Sequence, residues 1–236
     1  MLCYHAVSEV WPAELSVRPE ALERQLQFLL DRGYQPATFT DLITHGGRRK
    51  SFAVTFDDGF ASVGTLAGPI LSRLGIAGTV FVVTDHVGAA APMTWPGIEE
   101  WLKTPHEPEL MPLGWDDLRD LQSAGWEIGA HTCSHPHLTQ VPDEHLQHEL
   151  NASRRICTER LDVCTSIAYP YGDVDARVVE AARRAGYTAG ASLPARWSAG
   201  SRLDWPRVGI WQSDDFRRFR LKTSHITRAL RRCVGR

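Results

Sequence analysis

The sequence predicts an α/β fold of parallel strands joined by helical crossovers, about seven strands in all, a number that favours an incomplete barrel. Three observations predict it. Segments with apolar residues at helical spacing alternate with short apolar runs at nearly every step along the chain. The run GTVFVVT at 78–84 is almost continuously apolar, the mark of a strand covered on both faces. With 236 residues, 43% of them hydrophobic and 23% charged, the chain is long enough for one barrel domain and too apolar for disorder.

The elements follow in order. Leu2 to Val7 reads as a short strand. RPEALERQLQFLLDRGY (18–34) sets Leu22, Leu26, Leu29 and Leu30 at helical spacing, with Pro19 at its start and Gly33 at its end. Residues 51–56 form a strand, 64–75 a helix despite Pro69, and 78–84 the next strand. Residues 85–113 carry GAAAP, TWPG and TPHEPELMP and read as a loop-rich insertion with a short helix at Ile98–Lys103. Helices at 115–125, 143–161 and 175–187 then alternate with strands at 126–131, 165–170 and 188–192, and a last strand covers 205–210. There is no internal repeat or convincing linker, so 1–236 reads as one domain.

The charge of −2 predicts no polyanion partner for the chain as a whole. A basic tail after Asp215, with no further acidic residue, reads as a solvated helix face and a frayed end. No GxGxxG or GxxxxGK[ST] loop is present, and the tail lacks interleaved aromatics, which argues against nucleotide or nucleic acid. Five cysteines without CxxC spacing read as reduced thiols. No apolar run is long enough to span a bilayer, and MLCYHAVSEV is not a signal peptide, so the expected compartment is the cytoplasm.

Reactive groups of parallel α/β folds collect where strands end. The strand at 51–56 ends in Asp57 and Asp58; that at 126–131 runs into HTCSH, with His131 and His135 four apart; that at 165–170 runs into YPYGD; the first carries Tyr4 and His5. Singly, Asp-Asp-Gly is an ordinary turn and an HxxxH pair an ordinary surface pair. Together, two imidazoles and a carboxylate make a facial ligand set with open positions for water and substrate. A cation there would also account for two adjacent carboxylates, one binding it and the other ionised beside it as a base.

These motifs resemble the polysaccharide deacetylases with a NodB homology domain, carbohydrate esterase family 4. TFDDG at 55–59 matches the family's first motif without change, and HTCSH at 131–135 matches its His-Ser/Thr-x-x-His motif. The resemblance covers nearly the whole chain and implies a distorted (β/α)7 barrel that removes N- or O-acetyl groups from a sugar, so an acetylated carbohydrate is the expected partner. It implies Asp57 as catalytic base, with Asp58, His131 and His135 as ligands of one divalent metal ion, usually zinc, with cobalt or nickel as alternatives. Tyr171, in AYPYG, is retained from the third motif, and its backbone N–H is implied to help hold the oxyanion; Pro170 precedes it.

The chain departs from the pattern in two places. Ala168 stands where the third motif has an arginine that orients the base, and Arg207, in WPRV, is the candidate substitute; Arg207 is also expected to contact substrate, with Pro170, Tyr171 and Trp95. The late motif that supplies a general-acid histidine is unclear: His225, in LKTSHI, reads as structural or exposed. LCYHAV and RPEALERQL, however, are similar to the permuted branch that deacetylates poly-N-acetylglucosamine, which implies His5 as general acid; the alternative for His5 is a buried histidine bonded to backbone. Trp95, Trp101, Trp115, Trp197 and Trp211 are candidates for sugar stacking, with core packing favoured for Trp115 and Trp126. Two other readings stay open: a different metal-dependent hydrolase of C–N bonds on the same scaffold, and a non-catalytic carbohydrate-binding protein.

Overall fold

The computed structural model describes residues 1–45, 50–193 and 201–224. His225, Trp197 and four of the eight basic residues of the tail lie outside them. Eight parallel segments make the main sheet: β1 (Leu2–Tyr4), β2 (Val54–Phe56), β3 (Thr79–Val82), β4 (Glu127–Ala130), β5 (Ser166–Ala168), β6 (Ala189–Ser192), β7 (Trp205–Pro206) and β8 (Val208–Gly209). Their order across the sheet is β7-β6-β5-β4-β3-β2-β1-β8. The two edge segments are the halves of one run that meet at Arg207. The Arg207 amide donates to the Ser192 carbonyl on one side and the Val208 amide to the Met1 carbonyl on the other. The sheet therefore curls back on itself as seven strand runs, a nearly closed parallel barrel.

Helices cover the outside: α1 (Pro19–Asp31), α2 (Phe39–Thr44), α3 (Gly68–Arg73), α4 (Trp115–Ser123), α5 (Asp143–Leu161), α6 (Ala176–Arg184) and α7 (Phe216–Thr223). α1 forms because its leucines make one stripe, and Leu22, Leu26 and Leu29 are buried in the main core. Every residue of β3 is buried, as its apolar run predicts. Pro69 is accommodated because it lies in the first turn of α3, where its missing N–H costs nothing, after a π-type turn at Val63–Ala67.

Two regions differ from the sequence expectation. The insertion at 85–113 holds two 3₁₀ turns, Glu99–Trp101 and Glu107–Leu110, and buries Met93, Trp95 and Leu110 against Trp11 and Phe60 in a second core. α2 was not expected. It sits at the start of the barrel strands: Phe39 N–H donates to Thr79 Oγ1 at 2.9 Å, and Thr40 N–H to Glu127 Oε2 at 2.8 Å. Ser166 Oγ donates to the same Glu127 at 2.5 Å. This polar network occupies the N-terminal mouth and leaves the C-terminal mouth for chemistry.

Candidate active site

β2 delivers Asp57 and Asp58 into the C-terminal mouth, and the turn that follows makes them diverge. Asp58 (φ 73°) and Gly59 (φ 81°) both take the left-handed conformation. A side chain at Gly59 would also meet Val82 Cγ1 at 3.0 Å, so glycine is needed there. The insertion clamps this turn, with Leu113 N–H donating to Gly59 O at 2.8 Å and Ala61 N–H to Met111 O at 2.7 Å.

Asp57 faces Arg207. Nη1 donates to Oδ1 at 2.6 Å and Nη2 to Oδ2 at 2.7 Å, a bidentate pair, and Nη1 also reaches Thr55 Oγ1 at 2.8 Å. Arg207 is 2% exposed. Its guanidinium lies over the ring of Phe81, beside which the small Ala168 and Ala191 are also buried. Such a buried position does not present Arg207 to substrate, where it was also expected to contribute. Burial pushes the Asp57 carboxyl up, but the Arg207 charge and hydrogen bonds outweigh it and hold Asp57 below the usual carboxylate range. Cys3 Sγ approaches Asp57 Oδ2 at 3.4 Å, and burial raises that thiol well above its ordinary pKa.

Asp58 turns the other way. Its Oδ1 lies 3.3 Å from His131 Nε2 and 3.4 Å from His135 Nε2, all three side chains being buried. Two ligand atoms about 2.1 Å from one cation, at tetrahedral to octahedral angles, stand about 3.0–3.4 Å apart. The observed spacing fits a shared ion and is longer than the ~2.7–2.9 Å of a charge-assisted hydrogen bond. His131 Nδ1 lies 2.8 Å from the Ala168 carbonyl. A carbonyl only accepts, so Nδ1 carries the proton and Nε2 keeps its lone pair for a cation. The donor set therefore suits one divalent ion. Burial lowers the His131 pKa, but Asp58 and Asp57 reverse this and raise it, whereas burial dominates at His135 and lowers it. Cys3, His5 and Asp57 also lie close enough to share an ion, but the guanidinium on Asp57 disfavours one there.

His5 follows β1. Its ring stacks on Trp211 with centroids 5.3 Å apart, and one of its ring nitrogens lies within 4.8 Å of an Asp57 carboxylate oxygen. Burial lowers its pKa, and the Asp58 and Asp57 charges offset this only in part. Tyr171 sits after Pro170 in the 3₁₀ turn Pro170–Gly172 with φ 60°. Among the described residues its amide has no backbone acceptor outside that turn. Tyr171 is 39% exposed; its ring stacks on His137 at 3.8 Å, and its hydroxyl donates to Pro96 O at 3.2 Å.

Trp95 is placed otherwise than as a sugar platform. It is 6% exposed and stacks on His135 at 4.4 Å, so its face is spent as a wall beside the imidazole. Sequence reasoning missed two neighbours of the site, Cys3 against Asp57 and Glu149 in α5, and it offered Trp211 to sugar, whereas one face of that ring backs His5. Of these two only Glu149 left a signal, a carboxylate at helical spacing with Leu146, Leu150 and Cys157.

The sequence profile described as polysaccharide deacetylase matches residues 45–190. That span includes Asp57, Asp58, His131, His135 and Tyr171 but neither His5 nor Arg207. YxkH of Bacillus subtilis strain 168, which carries a polysaccharide deacetylase name, is 26% identical over 80% of this chain and 62% of its own length. Poly-β-1,6-N-acetyl-D-glucosamine N-deacetylase of Escherichia coli K12 is 24% identical over 87% of this chain and 35% of its own. The chain thus spans less than two thirds of either relative. Among solved structures, the Streptococcus pyogenes deacetylase PplD, in complex with acetate, superposes with a TM-score of 0.77 at 22% identity, covering 94% of this chain and 96% of that one, a likeness of fold.

Proposed function

This chain belongs to the polysaccharide deacetylase family, and on that premise we propose that it is a metal-dependent hydrolase removing N-acetyl groups from an N-acetylglucosamine-containing glycan, with O-acetyl groups as the alternative bond. The observation that carries the proposal is the divergence of two adjacent carboxylates, Asp57 onto a guanidinium and Asp58 onto two imidazoles.

Asp58, His131 and His135 would hold the ion. When bound, a divalent cation, zinc by family habit, supplies Lewis-acid polarisation of the acetyl carbonyl and acidifies water. Asp57, kept ionised by Arg207, accepts the proton of the attacking water. His5 gives a proton to the departing amine, for which its ring nitrogen near Asp57 is in reach of the same reacting centre. The Tyr171 amide donates to the oxyanion, worth about 3 kcal/mol of barrier for a donor of this kind. Arg207 takes the part of the arginine that Ala168 lacks, as a positioning residue for the base. The whole chain is taken as one catalytic domain, since one sheet links residues 2–209. The four cysteines among the described residues are buried and unpaired, which supports a reducing compartment such as the cytoplasm, and no helix among those residues is long and apolar enough to cross a membrane.

The test is acetate release from β-1,6-linked N-acetylglucosamine oligomers, chitooligosaccharides and O-acetylated sugars, with zinc, cobalt and nickel in parallel. We expect release from at least one N-acetylated oligomer, and Asp57→Asn to lose about 10²–10⁴-fold in turnover. No release from any substrate with any metal, or an Asp57→Asn variant with more than a tenth of wild-type turnover, would reject the reading.

A further inference from the structure

We propose that Glu149 is a positioning residue for the candidate metal centre, holding the HTCSH turn so that His135 meets Asp58; this rests on the reading that Asp58, His131 and His135 bind a divalent cation. Glu149 lies in α5, outside the motifs, and is 2% exposed. A buried carboxylate is costly unless its oxygens are well satisfied. Here Oε2 accepts from Cys133 N–H at 2.7 Å and Ser134 N–H at 3.0 Å, while Oε1 accepts from Ser134 Oγ at 2.7 Å. His145 Nε2 stands 3.3 Å from Oε1. Among the described residues no lysine or arginine pairs with it. The carboxylate is thus spent on one turn.

That turn needs holding. Thr132 (φ 67°) and His135 (φ 63°) both occupy the left-handed region without being glycine, which is strained unless the surroundings impose it. The other side of the turn is pinned by the end of β3: Thr84 N–H donates to Thr132 O and Asp85 N–H to Cys133 O, both at 3.1 Å. Glu149 takes the amides, so the turn is gripped from two directions.

The two histidines are also held differently. His131 is oriented through its own Nδ1–H to the Ala168 carbonyl. His135 Nδ1 is buried and has no protein partner among the described residues, and its ring packs between Trp95 and Tyr171. A metal-binding histidine usually has its remote nitrogen anchored by a carbonyl or carboxylate, and losing such support typically costs 10–100-fold in metal affinity. For His135 that support passes through the backbone turn, and Glu149 supplies it.

The experiment measures zinc affinity by chelator competition for the full chain, Glu149→Ala, Glu149→Asp and Ser153→Ala. Glu149→Asp keeps the charge but withdraws it by one methylene, and it decides the matter if Glu149→Ala does not fold. Ser153, buried on the same helix, bonds Glu149 O and Tyr187 and does not touch the turn. We expect both Glu149 variants to bind zinc about 10–100-fold more weakly, with Ser153→Ala within about twofold of wild type at a comparable loss of melting temperature. Zinc binding by Glu149→Asp within threefold of wild type overturns the inference, as does an equal loss in Ser153→Ala. A wild-type chain that binds no zinc, cobalt or nickel removes the metal reading itself, and this inference with it.

Discussion

Removing the guanidinium from Arg207 is the most informative single perturbation. Arg207→Met preserves much of the volume and deletes two charge-assisted bonds, at 2.6 and 2.7 Å, from a carboxylate with almost no water around it. Breaking a buried ion pair at one partner costs about 3–5 kcal/mol. For a chain of this size, each kcal/mol moves Tm by about 2–4 °C, so a fall of roughly 6–20 °C is expected at neutral pH. The same loss changes the sign of the pH dependence. In the wild type Asp57 is depressed on folding, so its stabilisation is present above the unfolded pKa of about 3.9 and fades as pH falls through the folded value. In the variant, burial is opposed only by the charges of His131 and His5 and raises Asp57, so stability relative to wild type improves as pH falls. The acid limb of kcat/KM should move to higher pH, because burial raises the carboxyl once the guanidinium is gone. Denaturant unfolding from pH 5 to 8 and acetate-release profiles read both effects. An acid limb within 0.3 units of wild type, together with less than about 1 kcal/mol of lost stability, would refute the claim that Arg207 holds the base.

Three further outcomes are expected. Zinc at a hundred times its Kd should stabilise the chain by about 2.7 kcal/mol, roughly 5–11 °C in Tm; the shift should vanish with a chelator and in His131→Ala, and its survival in that variant would place the ion elsewhere. His5→Gln should lower turnover about 10²–10⁴-fold and abolish the alkaline limb of the pH–rate profile. Since burial lowers the His5 pKa, that limb should lie at or below the ordinary histidine value of about 6.5, and an unchanged limb in the variant would remove His5 as the acid. Gly59→Ala should cost about 1–3 kcal/mol in urea unfolding, because it forces a side chain into the left-handed region against Val82; a neutral result would mean that the turn relaxes freely.

Much of the fold was legible because its signals are local. The leucine stripe of α1, the apolar run of β3 and the span of α5 are periodicities that a short window contains. α2 is six residues long, too short to display a stripe, and it is held at the barrel mouth by Thr79 and Glu127 through contacts across 40 and 87 residues. The insertion reads as loop because its core partners, Trp11 and Phe60, lie far back in the chain. The candidate metal ligands were legible for the opposite reason: Asp58 follows the end of one strand, and His131 and His135 share one turn.

What the sequence determined by itself is the set of reactive groups and the strand ends that carry them, since both depend on identity and short-range period. Which cation neutralises Asp57 was decided by the tertiary structure. That choice required the run around Arg207 to close the barrel and bring a side chain 150 residues away onto the carboxylate. It also turned Trp95 from a sugar surface into the wall of an imidazole, and joined Glu149 to a turn it does not adjoin in sequence. A side chain's charge and shape belong to its residue, but its partner is set by how strands curve round to meet, and no local spacing encodes that closure.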